Sequence, residues 1–153
     1  MPTPVVNTFS ILVNAAPDKV FTYVSDLTRH GEWSGAPLTV EAVSTGPVAV
    51  GSQYRSKGDV AVQKNRPNEL RVTDYQPPSR FVFVAQDANF GAVTHEFTFT
   101  PKEGGILVTR TISLQMSPLM AFMFKNVISP LIGAPATNRS LAALKAKMEN
   151  PSA

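Results

Sequence analysis

The stretch Phe90–Thr100 (FGAVTHEFTFT) runs through Pro101–Gly105 (PKEGG) into Ile106–Met116 (ILVTRTISLQM). Both flanking runs alternate apolar and polar side chains, the period of a half-buried β-strand. Two such runs around a short glycine-containing loop predict an antiparallel hairpin. On the first strand Val93, His95, Phe97 and Phe99 share one face, with Ala92, Thr94, Glu96 and Thr98 opposite. On the second, Ile106, Val108, Arg110, Ile112 and Leu114 alternate with Leu107, Thr109, Thr111, Ser113 and Gln115. The apolar sets face inward, because a one-residue slip would expose all of them. His95 and Arg110 go inward with them.

Working back from the hairpin, strands are predicted over Thr8–Val13, Leu38–Ser44, Gly51 to about Gln63, Glu69–Gln76 and Arg80–Gln86. Gly46-Pro47, Pro77-Pro78 and Asp87-Ala88-Asn89 supply breaks between them. Between the first two strands lie two short helices. Pro17 suits a first helical position, Asp18 favours the positive end of the dipole, and Val20, Phe21, Val24 and Leu27 follow at helical spacing. Thr28–Gly35 reads as the second, ending in glycine.

Forward from the hairpin the period changes. Pro118 to about Glu149 reads as helix, with Pro130, Gly133 and Pro135 predicting a kink or short interruption. Beyond it, Leu141, Leu144 and Met148 share a face. Consecutive strands on short turns are antiparallel, and only the last helix is long enough to cover such a sheet. The expected fold is α+β: a curved antiparallel sheet of about seven strands, two short helices and a long kinked C-terminal helix. Residues 1–153 read as one domain. A gap beneath the concave face, lined by apolar side chains and few polar ones, is where a small molecule fits.

Composition narrows the function classes. There is no cysteine among 153 residues, which removes disulfides, cysteine–zinc sites and a thiol nucleophile. The net charge of +3 comes from scattered basic residues with no aromatic interleaving, so no nucleic-acid partner is expected. The N-terminus lacks the basic and apolar regions of a signal peptide. Leu119–Ile132 is too short and broken for the roughly 20 apolar residues of a membrane span. A soluble, cytoplasmic protein is expected. Asp26, His30 and Glu32 are close in sequence, but their spacing does not put all three on one helical face. Neither a metal nor a cofactor is expected.

The stretch Ile11–Asp26 (ILVNAAPDKVFTYVSD), with His30 and Glu32-Trp33 after it, resembles the N-terminal signature of the polyketide cyclase/dehydrase branch of the START-like (SRPBCC, helix-grip) superfamily. Gly51-Ser-Gln-Tyr-Arg, Tyr75-Gln-Pro-Pro-Ser-Arg, Gly104-Gly-Ile-Leu-Val-Thr-Arg-Thr and a final helix with Asn138-Arg139 and Leu144-Lys145 follow in the family's order. The Gly-Gly-Thr common in the family's last hairpin is Gly-Gly-Ile106 here. The resemblance covers nearly the whole chain and implies the helix-grip fold. Such proteins include lipid carriers, hormone receptors and aromatase/cyclases. They share no universal catalytic motif, so no catalytic residue is carried over, and fold does not fix function.

Three readings follow. The first is a carrier or sensor for a small hydrophobic molecule, aromatic or lipid-like. Its pocket would take Phe81, Phe83, Phe97, Phe99, Val108, Ile112, Met120 and Phe124 as apolar wall. Tyr54, His95 and Arg110 would orient the ligand, for example by binding a carboxylate or enolate oxygen. The second is an aromatase/cyclase-type enzyme in which His95 moves protons and Arg110 holds an enolate. The third is an interaction module using the Met116, Met120, Phe122, Met123 and Phe124 cluster. That cluster is apolar on every side and so suits a ligand gate or a homodimer patch. Against the first two, Arg110 could instead pair with Asp74 or Asp87, leaving His95 an ordinary core histidine.

Overall fold

Alternating apolar residues along most of the chain produce one seven-stranded antiparallel sheet. In chain order its elements are β1 (Thr3–Val13), α1 (Pro17–Ser25), a 3-10 helix (Leu27–Glu32), β2 (Leu38–Ala42), β3 (Gln53–Val60), β4 (Gln63–Gln76), β5 (Arg80–Asp87), β6 (Gly91–Lys102) and β7 (Gly105–Met116). The C-terminal helix follows as α2 (Pro118–Met123), a π-helical segment (Phe124–Gly133) and α3 (Ala134–Glu149). This computed structural model describes residues 3–34, 38–60, 63–87 and 91–150. The predicted strand start at Phe90, the turn residues Ala88 and Asn89, and the helix-ending Gly35 lie outside them.

The sheet order is β1-β7-β6-β5-β4-β3-β2. Strands β2 to β7 form a meander, and β1 returns to pair with β7 along its whole length, from Thr3 opposite Met116 to Val13 opposite Ile106. The sheet curves around the C-terminal helix in the expected helix-grip arrangement. Val13, Val20, Phe21, Val24, Leu27, Trp33, Phe81, Phe97, Val108, Leu141 and Leu144 bury themselves between sheet and helices. A smaller cluster of Val5, Leu114, Met116 and Ala121 sits under α2, with Val93 and Phe124 packed against it.

Four local readings change. The loop of the last hairpin is two residues, not five, because Lys102 still pairs with Gly105. Glu103 and Gly104 both take positive φ, at 45° and 80°. That matches a tight turn whose twist follows the strands, and glycine takes the more left-handed site without a Cβ clash. Strand β4 begins at Gln63, a residue the alternation assigned to β3. Pro67 is tolerated there because β4 pairs with β5 only from Glu69 onward, leaving a two-stranded ribbon beyond.

The second short helix is 3-10, held at its start by the Asp26 side chain, which accepts from the Thr28 amide. The last helix has the expected kink, a 48° bend between Pro118–Leu131 and Ala134–Glu149, and the turns around Pro130 are π-helical rather than α-helical. The wider π turn makes room for the Pro130 ring, which an α-helix would drive into the preceding carbonyl. Leu141 and Leu144 are fully buried and Met148 packs beside them, as their spacing predicts. Among the described residues, no single helix is long and apolar enough to cross a membrane.

Candidate functional site

A cavity of about 250 Å³ opens between the concave face of the sheet and the 3-10 helix. Leu27 and His30 of the 3-10 helix, Leu38 of β2, Ser56 of β3, and Asn68 and Leu70 of β4 form one side. Phe83 and Ala85 of β5, Val93 and His95 of β6, and Arg110 of β7 form the other. Larger hollows of about 650 and 460 Å³ adjoin it, sharing Ser56 and Asn68, and Leu70, with its wall. Their walls are charged and polar, including Glu41, Arg55, Lys57, Glu69 and Arg71, so they offer an apolar ligand little burial.

Strand register builds the polar corner of the cavity. Phe97 pairs with Arg110 and His95 with Ile112, so Arg110 and His95 are diagonal neighbours on one face. A long side chain spans that diagonal. The Arg110 Nη2 donates to His95 Nδ1 over 3.1 Å, and Nη1 donates to the Ser140 Oγ of α3 over 3.4 Å. A guanidinium can only donate, so Nδ1 of His95 is the acceptor and its proton sits on Nε2. The His95 ring stacks on Phe83 at 4.7 Å and 9°, and the Arg110 guanidinium lies 5.2 Å from the Phe97 ring centre. These contacts fix both side chains.

His30 closes the corner from the other side. The Asp26 cap and the glycine that follows it, Gly31, place it there. A Cβ at Gly31 would collide with the Leu38 carbonyl, so glycine lets β2 approach the 3-10 helix. The imidazole packs edge-on against Trp33 at 4.4 Å and lies 6.3 Å from Phe83. Among the described residues its buried Nδ1 has no hydrogen-bond partner, and neither has Nε of Arg110.

Charge in this corner is one-sided. Among the described residues Arg110 has no carboxylate partner. Asp74, the expected alternative, is taken by Arg80 at 2.8 Å. The reason is a bulge in β4: Val72 pairs with Phe83, but Asp74 pairs with Val82. The extra residue flips the alternation, sending Asp74 outward and Tyr75 in toward Phe21. The other expected partner, Asp87, has a side chain outside the described residues.

Burial pushes the Arg110 guanidinium down to about 10, so it stays charged at neutral pH. Burial first, and Arg110's charge second, push His30 down to about 3. The same two causes in the same order, with His30 third, hold His95 well below the usual imidazole range. The corner is therefore one cation beside two neutral imidazoles.

The description "polyketide cyclase/dehydrase and lipid transport" belongs to a family whose pattern matches residues 5–149 of this chain. The chain belongs to this family.

No curated protein matches it. Among solved structures, TTHA0849 from Thermus thermophilus is similar at 15% identity and TM-score 0.73, covering 97% of this chain and 100% of that one. A truncated norcoclaurine synthase from Thalictrum flavum is similar at 13% identity and TM-score 0.72, covering 95% and 93%. The Aha1 dimer from Colwellia psychrerythraea is similar at 16% identity and TM-score 0.66, covering 97% and 99%. At these identities the likeness is one of fold.

Within this family member, the residues expected at a pocket fall in three places. Phe83, His95 and Arg110 line the cavity. Tyr54, Phe81, Phe97, Phe99 and Val108 are buried in the core further along the same strands, and Ile112 is half-buried beside His95. Phe124 packs on the cluster under α2, next to Val93, and Met120 is exposed on α2. His30 was set aside as a metal ligand on spacing. Asp26 turns to Thr28, Glu32 to Arg29 and Tyr23, and His30 inward. Leu27 and His30 lie three apart, and residues three apart eclipse on a 3-10 helix; that spacing is the signal that pairs them.

Proposed function

We propose that this chain binds a small hydrophobic molecule in the cavity between the sheet and the 3-10 helix, with Arg110 and His95 orienting it. The observation that carries the reading is a mostly apolar hollow with a charged corner at Arg110 and a neutral polar pair, Ser56 and Asn68, on the facing wall, the pattern of a ligand site. Its volume is just under the roughly 300–1,000 Å³ of drug-sized pockets, which favours a compact ligand over a long acyl chain. Filling the space tests this. Ala85→Phe puts a ring into the cavity from the middle of β5. Binding of a naphthalene-sized probe, followed by calorimetry, should fall about ten-fold or more while the fold and its stability persist. Unchanged affinity would move the ligand elsewhere.

A catalytic reading draws on the Arg110 guanidinium and the Nε2–H of neutral His95, two donors able to polarise a ketone and stabilise its enolate. In a cyclase of that kind, His95→Ala abolishes turnover of a polyketone while leaving affinity nearly intact.

A dimer is the further part of the proposal. Leu119, Phe122 and Leu131 are 72%, 64% and 73% exposed along one helical run, an unusual load of apolar surface for a lone chain. Light scattering should give twice the chain mass, and Phe122→Glu should return the mass of one chain. A wild-type monomer would remove the dimer.

A further inference from the structure

We infer that the ligand is an anion: a planar oxyanion of the carboxylate class on a small apolar body, with Arg110 as its counter-ion. The inference rests on the binding reading above and adds the chemistry of the ligand to it.

A guanidinium taken out of water needs a partner of opposite charge, because its desolvation is not repaid by neutral contacts alone. Arg110 is 7% exposed and lies in the cavity wall. Among the described residues it has neutral acceptors, one imidazole nitrogen and one hydroxyl at a long 3.4 Å, and none at its Nε. Asp74 and Glu96 are both spent elsewhere, on Arg80 at 2.8 Å. Both stand with Arg80 on the outer face of the sheet, away from Arg110.

The remaining neighbours fit an anion and not a second cation. His30 and His95 are the only histidines in the chain, and both line this one cavity. As neutral imidazoles each can present an N–H without adding charge of its own. Around them stand Leu27, Leu70, Phe83 and Val93, which suit an apolar body and exclude water from the ion pair. Exclusion of water strengthens that pair. A planar carboxylate matches the fork of a guanidinium.

The test compares matched probes on the full chain by calorimetry: benzoate against benzamide, and 2-naphthoate against 2-naphthamide. Each carboxylate should bind about ten-fold or more tighter than its amide at neutral pH. In Arg110→Met the preference should shrink to about two-fold or less, with circular dichroism and a cooperative urea transition reporting that the variant is folded. Equal affinity for acid and amide would overturn the anion and leave hydrophobic binding standing. A preference that survives in Arg110→Met would take Arg110 out of the role. Failure of all four probes to bind would overturn the binding reading with it.

Discussion

Arg110→Met should make the protein more stable, by about 1–2 kcal/mol, although it deletes two hydrogen bonds from the core. Keeping an unpaired guanidinium out of water costs several kcal/mol even after relaxation. Methionine fills much of the same volume with no such cost and packs adaptably against Phe97. Its own penalty is the lost partner of His95 Nδ1, about 1–3 kcal/mol if that nitrogen is left unsatisfied. The first effect outweighs the second because Arg110 has no carboxylate in return among the described residues. The urea midpoint should rise, and the melting temperature should rise by about 2–8 °C for a chain of this size. A residue kept only to brace the sheet against Ser140 would give the opposite sign. A gain in stability on removing a side chain is the mark of a site held under strain for function.

Acid should unfold the protein well before its carboxylates titrate. His30 and His95 are buried neutral, and their folded pKa values lie below the unfolded one of about 6.5. The unfolded chain therefore binds more protons as pH falls, so stability is fully present above about 6.5 and is lost below it. For His30 the loss continues until its folded value of about 3. His30 alone gives a slope of roughly 1 kcal/mol per pH unit, or roughly 2 kcal/mol between about pH 6.5 and 4.5, and His95 adds a loss of the same sign. That is a sizeable share of the stability of many domains. Urea midpoints from pH 8 to 4.5 should show this slope, and His30→Gln should roughly halve it. Glu32 and Glu149 are held low by Arg29 and Lys145, so what they contribute is present above the usual carboxylate range and is lost as pH falls through and below it. A flat profile down to pH 5 would mean that the imidazoles are solvated.

The hairpin and the meander were legible because a strand's period of two survives in the sequence with little ambiguity. The same period placed His95 and Arg110 inward. It could not say how deep along a strand the hollow lies. Phe81, Phe97, Phe99 and Val108 share the inward face with Phe83, but Phe21, Trp33, Leu141 and Leu144 fill the space above them. The cavity survives only where α1 and α3 do not reach, a matter of tertiary packing. Asp74 at a strand end reads as a solvent-reaching acid, and it does face outward, but the bulge that turns it there is not announced by alternation. Met120 escaped because a helix apolar on every side does not declare which side it buries. His30 escaped because nothing in its sequence context marks the helix as 3-10, where residues three apart, Leu27 and His30, share a side.

The most direct measurement of where a ligand sits is a titration of methyl-labelled protein with 2-naphthoate, followed by NMR. The leucine and valine methyls divide cleanly. Leu27, Leu38, Leu70 and Val93 line the cavity, while Leu119, Val127 and Leu131 are exposed on the C-terminal helix. Saturable shifts at the first four, with the last three unmoved, are the expected result. Shifts confined to Leu119, Val127 and Leu131, or none at all, would contradict an internal binding site.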